Sequence, residues 1–278
     1  MLFRSKLLEQ VDGSLYKEYI LERYKAGENG NSNFKDPTFN VPSPRFGKLD
    51  KPKQFEHAEF CSDLPSGHFC LDYLKNRKIP KEFYSQLLFT SHYKKFVDAL
   101  VPDHGKKLVD DARVIIPFYD VYNNLIAVSG RALETNDKTV RYITIRTTDS
   151  EDKLVFGMDR LNVHETVKVV EGPIDSLFLT NCVASGDANL TAVADNISAG
   201  KKVIIFDNEP RNKDIVKLMQ ESIKSNHQIV IWPDTIQAKD INEMIISGIS
   251  PDEIESIISS NTVSGLEAQL KFNFWKKV

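Results

Sequence analysis

Hydrophobic positions along the chain change period several times. Leu7, Leu8 and Val11, then Leu15, Tyr19, Ile20 and Tyr24, recur at helical spacing and are split by Asp12-Gly13-Ser14. This predicts two amphipathic helices over 1–26. Residues 27–53 carry Gly, Pro and Asn where apolar residues would be needed, and read as a linker. From 68 to 100 helical spacing returns. Leu71, Tyr73 and Leu74 share a face, Ile79-Pro80 breaks the element, and Phe83, Leu87 and Leu88 start the next. Then the period shortens: 114–118, 125–128 and 140–145 read as strands, the first two joined by a turn at Asn123-Asn124.

Beyond Asp159 the texture is different again. The largely apolar segments 167–170, 203–206 and 228–232 read as buried strands, alternating with helices expected over 174–180, 214–223 and 241–246. That alternation predicts a parallel sheet with helices on its faces. The expected fold class is therefore α/β and α+β, a parallel-sheet domain following a smaller α+β subdomain. The expected boundaries are 1–53, 54–160, 161–249 and a C-terminal helical tail over 250–278.

Charge sharpens this division. The formal net charge of the 278 residues is only −3, which excludes a uniformly basic coat. Locally, residues 75–107 hold eight Lys or Arg against three acids, and residues 171–260 hold fourteen acids against seven bases. A basic front and an acidic back suit a phosphate backbone beside metal ions. Three cysteines with no CxxC pair suggest a reducing interior such as the cytoplasm. No apolar run approaches the roughly 20 residues of a membrane helix, so no membrane partner is expected.

The candidate chemistry lies where strands end. The first buried strand runs into Glu171-Gly172-Pro173-Ile174-Asp175, and the second into Asp207-Asn208-Glu209. In open α/β sheets ligands collect beyond the carboxyl ends of the strands. Carboxylates gathered there repel one another unless a cation joins them, and an all-oxygen donor set favours Mg²⁺ or Mn²⁺. A cluster of His57, Cys61, His68 and Cys70 has spacings that fit no zinc ribbon, so no zinc is expected.

EGPIDSLFL (171–179) followed by IIFDNE (204–209) resembles the TOPRIM fold of DnaG-type primases, topoisomerases and some nucleases. HFCLDYLKNRKIP (68–80), RVIIPFYDVYNNLIAVSGRAL (113–133), KLVFGMDRL (153–161) and IWPDTIQAKDINEMI (231–245) follow in the order of a DnaG-type primase core. The nearest flavour is that of tailed-phage primase subunits. The resemblance implies a catalytic Glu171, metal ligands Asp207, Glu209, Asp175 and Asp240, and nucleic-acid or nucleotide contacts at Arg113, Arg131 and Arg141. It departs from the family at Glu209, where the family's DxD has Asp. SLYKEYILERYK (14–25) resembles the segment after the family's zinc ribbon, so 1–53 is expected to be the remnant after a missing ribbon.

The implied activity is RNA primer synthesis on single-stranded DNA during phage replication, from ribonucleoside triphosphates and beside a replicative helicase. The alternatives are a TOPRIM nuclease using the same acids, and a catalytically weak nucleic-acid-binding accessory subunit.

Overall fold

A computed structural model of the chain describes residues 50–278 except 135–138, 151 and 187–188, all within one unit, Phe46–Val278. The helices expected over 1–26 and the segment 14–25 lie outside the described residues. The expected alternation over 114–145 appears as an antiparallel sheet. Its strands are β1 (Glu59–Phe60), β2 (Leu88–Thr90), β3 (Arg113–Tyr119), β4 (Leu125–Ala132) and β5 (Tyr142–Arg146), hydrogen-bonded in that order. The β3–β4 turn is held by Asp120, whose Oδ1 accepts from the backbone N–H groups of Tyr122 and Asn124, while Asn123 takes the left-handed conformation that asparagine tolerates.

Strand parity decides what each face of this sheet carries. Val114, Ile116 and Phe118 lie opposite Arg131, Ser129 and Ala127, and this face joins the main apolar core. Arg113, Ile115 and Pro117 lie opposite Ala132, Gly130 and Val128. Ile115 and Val128 on that second face pack with Tyr93, Phe96 and Val97 of α2 (Tyr93–Leu100). Helix α1 (Phe69–Asn76) sends Cys70 and Leu74 into the main core. The helix expected to open at Phe83 is instead a 3-10 turn, Lys81–Phe83, before β2. Leu87, Leu88 and Phe89 are all buried, and a run buried on both faces carries no period that separates helix from strand.

The second sheet contains β6 (Val155–Phe156), β7 (Val167–Val170), β8 (Cys182–Ser185), β9 (Lys202–Ile204), β10 (Gln228–Val230) and β11 (Thr262–Val263). Their order is β11-β10-β9-β7-β8-β6, with the four middle strands parallel and both edges antiparallel. One face is covered by α3 (Leu190–Asn196), α4 (Lys213–Lys224) and α7 (Gly265–Trp275). The other meets α5 (Ile241–Ser247), α6 (Pro251–Asn261) and the inner face of the first sheet. Asn212 caps α4 through its side chain, and Ile215, Met219 and Ile223 fall on its buried stripe, each burial contributing roughly 1.5–3 kcal/mol.

Two sequence boundaries move. The second sheet takes its edge β6 from the segment assigned to the α+β subdomain, and its other edge β11 from the expected tail. Residues 250–278 are not a tail, since Val263, Ala268, Phe272 and Trp275 are buried in the core. The helix expected over 174–180 is a single 3-10 turn, Asp175–Phe178.

Candidate active site

A cavity of about 410 Å³ opens where the inner face of the antiparallel sheet meets the loops beyond β7 and β9. Glu171 follows β7 directly, Asp175 opens the 3-10 turn, Asp207 lies just past β9, and Asp240 caps α5. All four line the cavity. Facing them are Arg131 from β4, Arg141 just before β5, and Arg77 at the C-cap of α1. Phe118, Ser129, Tyr142 and Thr144 complete the sheet side.

The acids are held by backbone donors and crowd one another. Glu171 Oε1 accepts from the Asp207 N–H at 3.3 Å. Asp175 Oδ1 accepts from the Asn242 N–H at 2.8 Å, and Asp240 Oδ1 from the Glu243 N–H at 2.7 Å. A Cβ at Gly172 would run into Asp175 Oδ2, so any larger residue there would displace that carboxylate. Burial, then the neighbouring Asp240, pushes the Asp175 carboxyl up to about 7. Burial, then Glu171, Asp175 and Asp240, pushes Asp207 up to about 8. Glu171 is raised as well, by burial and by Glu209 against the Asp207 N–H. Burial is thus the larger cause for all three acids, and their neighbouring carboxylates add to it.

The basic wall is equally built. Arg131 is buried, donates through Nε to the Tyr73 hydroxyl, and lies 4.7 Å from the Tyr142 ring centroid. Arg77 donates to Asn242 Oδ1 at 2.8 Å, and Asn242 Nδ2 returns a bond to the Arg77 carbonyl at 2.7 Å. This pair clamps α1 to α5 and so fixes the N–H that Asp175 accepts from. Arg141 lines the cavity with an exposed side chain.

Two expected site residues are elsewhere. Arg113 is 1% exposed and faces α2, on the opposite side of the sheet from Arg131. Its guanidinium is spent on a two-pronged pair with Asp111 at 2.8 and 2.7 Å and on the carbonyls of Gly130 and Val140. Only glycine at 130 leaves room there, since a Cβ would collide with the Tyr93 ring. Glu209 lines a neighbouring cavity of about 660 Å³, together with Asp234. Its Oε2 accepts from Asn212 Nδ2 at 3.2 Å and its Oε1 lies 3.3 Å from Lys239 Nζ.

Arg77, Asn242 and Lys239 are site residues that motif reading passed over. Lys239 carried a signal, a lone base directly before the candidate Asp240. Nothing local marks Arg77, because its partner is 165 residues away.

The oxygen-only donor set suits a hard divalent cation. Among the described residues, no three His, Cys, Asp or Glu side chains gather closely enough to enclose an ion on protein ligands alone.

No protein-family model matches the chain. The DNA primase of Enterobacteria phage T4 is 30% identical over 275 residues, covering 98% of this chain and 78% of that protein. The chain belongs to the DNA primase family. Membership carries RNA primer synthesis in replication and does not favour the nuclease or the accessory subunit. The solved structures agree on the fold. The E. coli primase catalytic core superposes with a TM-score of 0.55 at 16% identity, covering 77% of this chain and 78% of that one. A DnaG primase catalytic domain bound to single-stranded DNA gives 0.54 at 15% identity, covering 77% and 79%. The zinc-binding and RNA polymerase domains of the Aquifex aeolicus primase give 0.54 at 18% identity over 76% of this chain, which spans 62% of that structure. Among the described residues no helix is long and apolar enough to cross a membrane.

Proposed function

We propose that this primase acts as a DNA-directed RNA polymerase whose reaction takes place in the 410 Å³ cavity, on single-stranded template and ribonucleoside triphosphates. The observation that carries the reading is the opposition of two walls, carboxylates on loops of the parallel sheet and arginines on the antiparallel sheet. In the reaction a primer 3′-oxygen bonds to the α-phosphorus of the incoming triphosphate. The bond from that phosphorus to the bridging oxygen breaks, and pyrophosphate leaves. Mg²⁺ or Mn²⁺, held by Asp207 with Glu171, Asp175 or Asp240, would lower the pKa of the attacking hydroxyl and offset charge on the leaving group.

The chain's own residues do the rest. Glu171 stays beside Asp207 through the Asp207 N–H and acts closest to the reacting atoms. Arg131, stiffened between Tyr73 and Tyr142, orients a phosphate without having to order itself first. Arg141 neutralises template or triphosphate charge at the rim. Glu209 reaches the same ion only by releasing Asn212 and Lys239. A replicative helicase is the natural partner for delivering unwound template.

Asp207→Ala tests this reading. Primer synthesis on single-stranded DNA with four ribonucleotides should fall to background under either metal, with circular dichroism unchanged. Synthesis at the wild-type rate would remove Asp207 from the chemistry.

A further inference from the structure

Lys239 is not an ordinary surface lysine. Its backbone is tied on both sides, to the acidic loop and to α5. The Lys239 carbonyl accepts from the Asn208 N–H at 2.6 Å, and the Lys239 N–H donates to Glu243 Oε2 at 3.0 Å. Asn208 also donates through Nδ2 to the carbonyls of Ile236 and Ala238, at 2.9 and 3.2 Å. Asn208 stands between Asp207 and Glu209, so these bonds set the Lys239 Cα beside both acids. The ammonium then lies 3.3 Å from Glu209 Oε1 and 3.9 Å from Asp207 Oδ2. A single positive charge thus sits between the two carboxylates of the Asp-x-Glu pair.

We propose that Lys239 is a tethered cation holding the place of a divalent ion between Asp207 and Glu209, so that lysine and ion compete for this pair. The inference rests on reading Asp207 as a metal-binding residue. Without an ion, the ammonium screens carboxylates that would otherwise repel one another and splay the loop. When an ion arrives, the ammonium leaves the pair for solvent, which its half-exposed side chain can reach without disturbing the anchored backbone. Lys239 is a positioning residue in this account, since it acts through the two acids and not on substrate.

The test is Mn²⁺ binding by the full chain, read as loss of the free-ion signal in electron paramagnetic resonance, with no nucleotide or DNA present. Lys239→Gln should bind Mn²⁺ on the order of tenfold more tightly than wild type, the scale of removing one partly screened unit charge a few ångströms away. Lys239→Arg, which keeps the charge, should stay near wild type, and Asp207→Asn should lose the ion. If wild type binds, Asp207→Asn does not, and Lys239→Gln binds no more tightly than wild type, the competition is overturned while the metal reading stands. If Asp207→Asn binds Mn²⁺ as wild type does, the metal reading falls and this proposal falls with it.

Discussion

The two walls of the cavity are built by opposite means. The acidic wall is made of loops that leave a parallel sheet at one rim, and any residue in the first few positions past a strand end is delivered to that rim. The basic wall is made inside antiparallel strands, where each step of one residue reverses the face. Arg131 and Arg113 show the consequence. Their strands are paired, yet Arg131 lies opposite Val114 and not opposite Arg113. One arginine joins the cavity, and the other becomes the buried anchor of the far face.

The largest effect that separates these roles should come from Arg113→Ala. It strips Asp111 of both its guanidinium bonds, removes a donor from the Gly130 and Val140 carbonyls and empties a fully buried site, at a cost of about 3–5 kcal/mol. Urea denaturation should show the loss, while DNA affinity per folded molecule stays unchanged. Arg113→Lys should recover little, because an ammonium cannot reproduce the fork. Wild-type stability with weakened DNA binding would put Arg113 back in the groove.

A middle-sized effect should mark the acidic wall. Asp175 and Asp207 have folded pKa values near 7 and 8, against an ordinary aspartate value of 3.8. A raised folded value means the native state binds protons more readily, so these groups cost stability progressively as pH rises from about 4 to about 8. Without divalent ions, the melting temperature should therefore be higher near pH 6 than near pH 9, by a few degrees. Mg²⁺ should raise it most at the alkaline end, where no proton shares the site. Asp207→Asn should flatten the slope. A melting temperature independent of both pH and metal would mean that the acids are not coupled.

The smallest effect belongs to Arg141→Ala. Folding should change by no more than roughly 0.5 kcal/mol, because the side chain is exposed. Binding to single-stranded DNA should weaken alike for every sequence, and its salt dependence should lose about one unit of slope. An unchanged slope would detach Arg141 from the phosphate path.

The pattern of what could be read beforehand follows the same division. β7, β9 and β10 were legible because their interiors are dense in Val and Ile, with Lys168, Lys202 and Gln228 the polar residues among them. Glu171 and Asp207 stood out as candidates because they directly follow such segments, and Asp175 because it closes the turn that Glu171 opens. Cys182-Val183-Ala184-Ser185 was not legible as β8, being short, small and free of alternation. Helix α7 gave no usable period either, with Leu266, Leu270 and Phe274 exposed on one side and Ala268, Phe272 and Trp275 buried on the other. The facing of Arg113 depends on register, which rests on pairing partners that no local window contains. The turning of Glu209 toward Lys239 and Asn212 depends on a rotamer, and spacing says nothing about rotamers.

Both tryptophans of the chain touch the acidic loop. Trp232 donates through its indole N–H to the Phe206 carbonyl at 2.8 Å, immediately before Asp207, and Trp275 donates to Asn208 Oδ1 at 3.1 Å, immediately after it. Indole emission depends on local polarity and on nearby charge. The chain therefore carries a pair of intrinsic fluorophores clamped around one aspartate, with no other tryptophan to dilute the signal. Occupancy of the loop by an ion, or its rearrangement under a nucleotide, becomes an optical event in the unlabelled protein, readable in a stopped-flow cuvette on the timescale of a single primer bond.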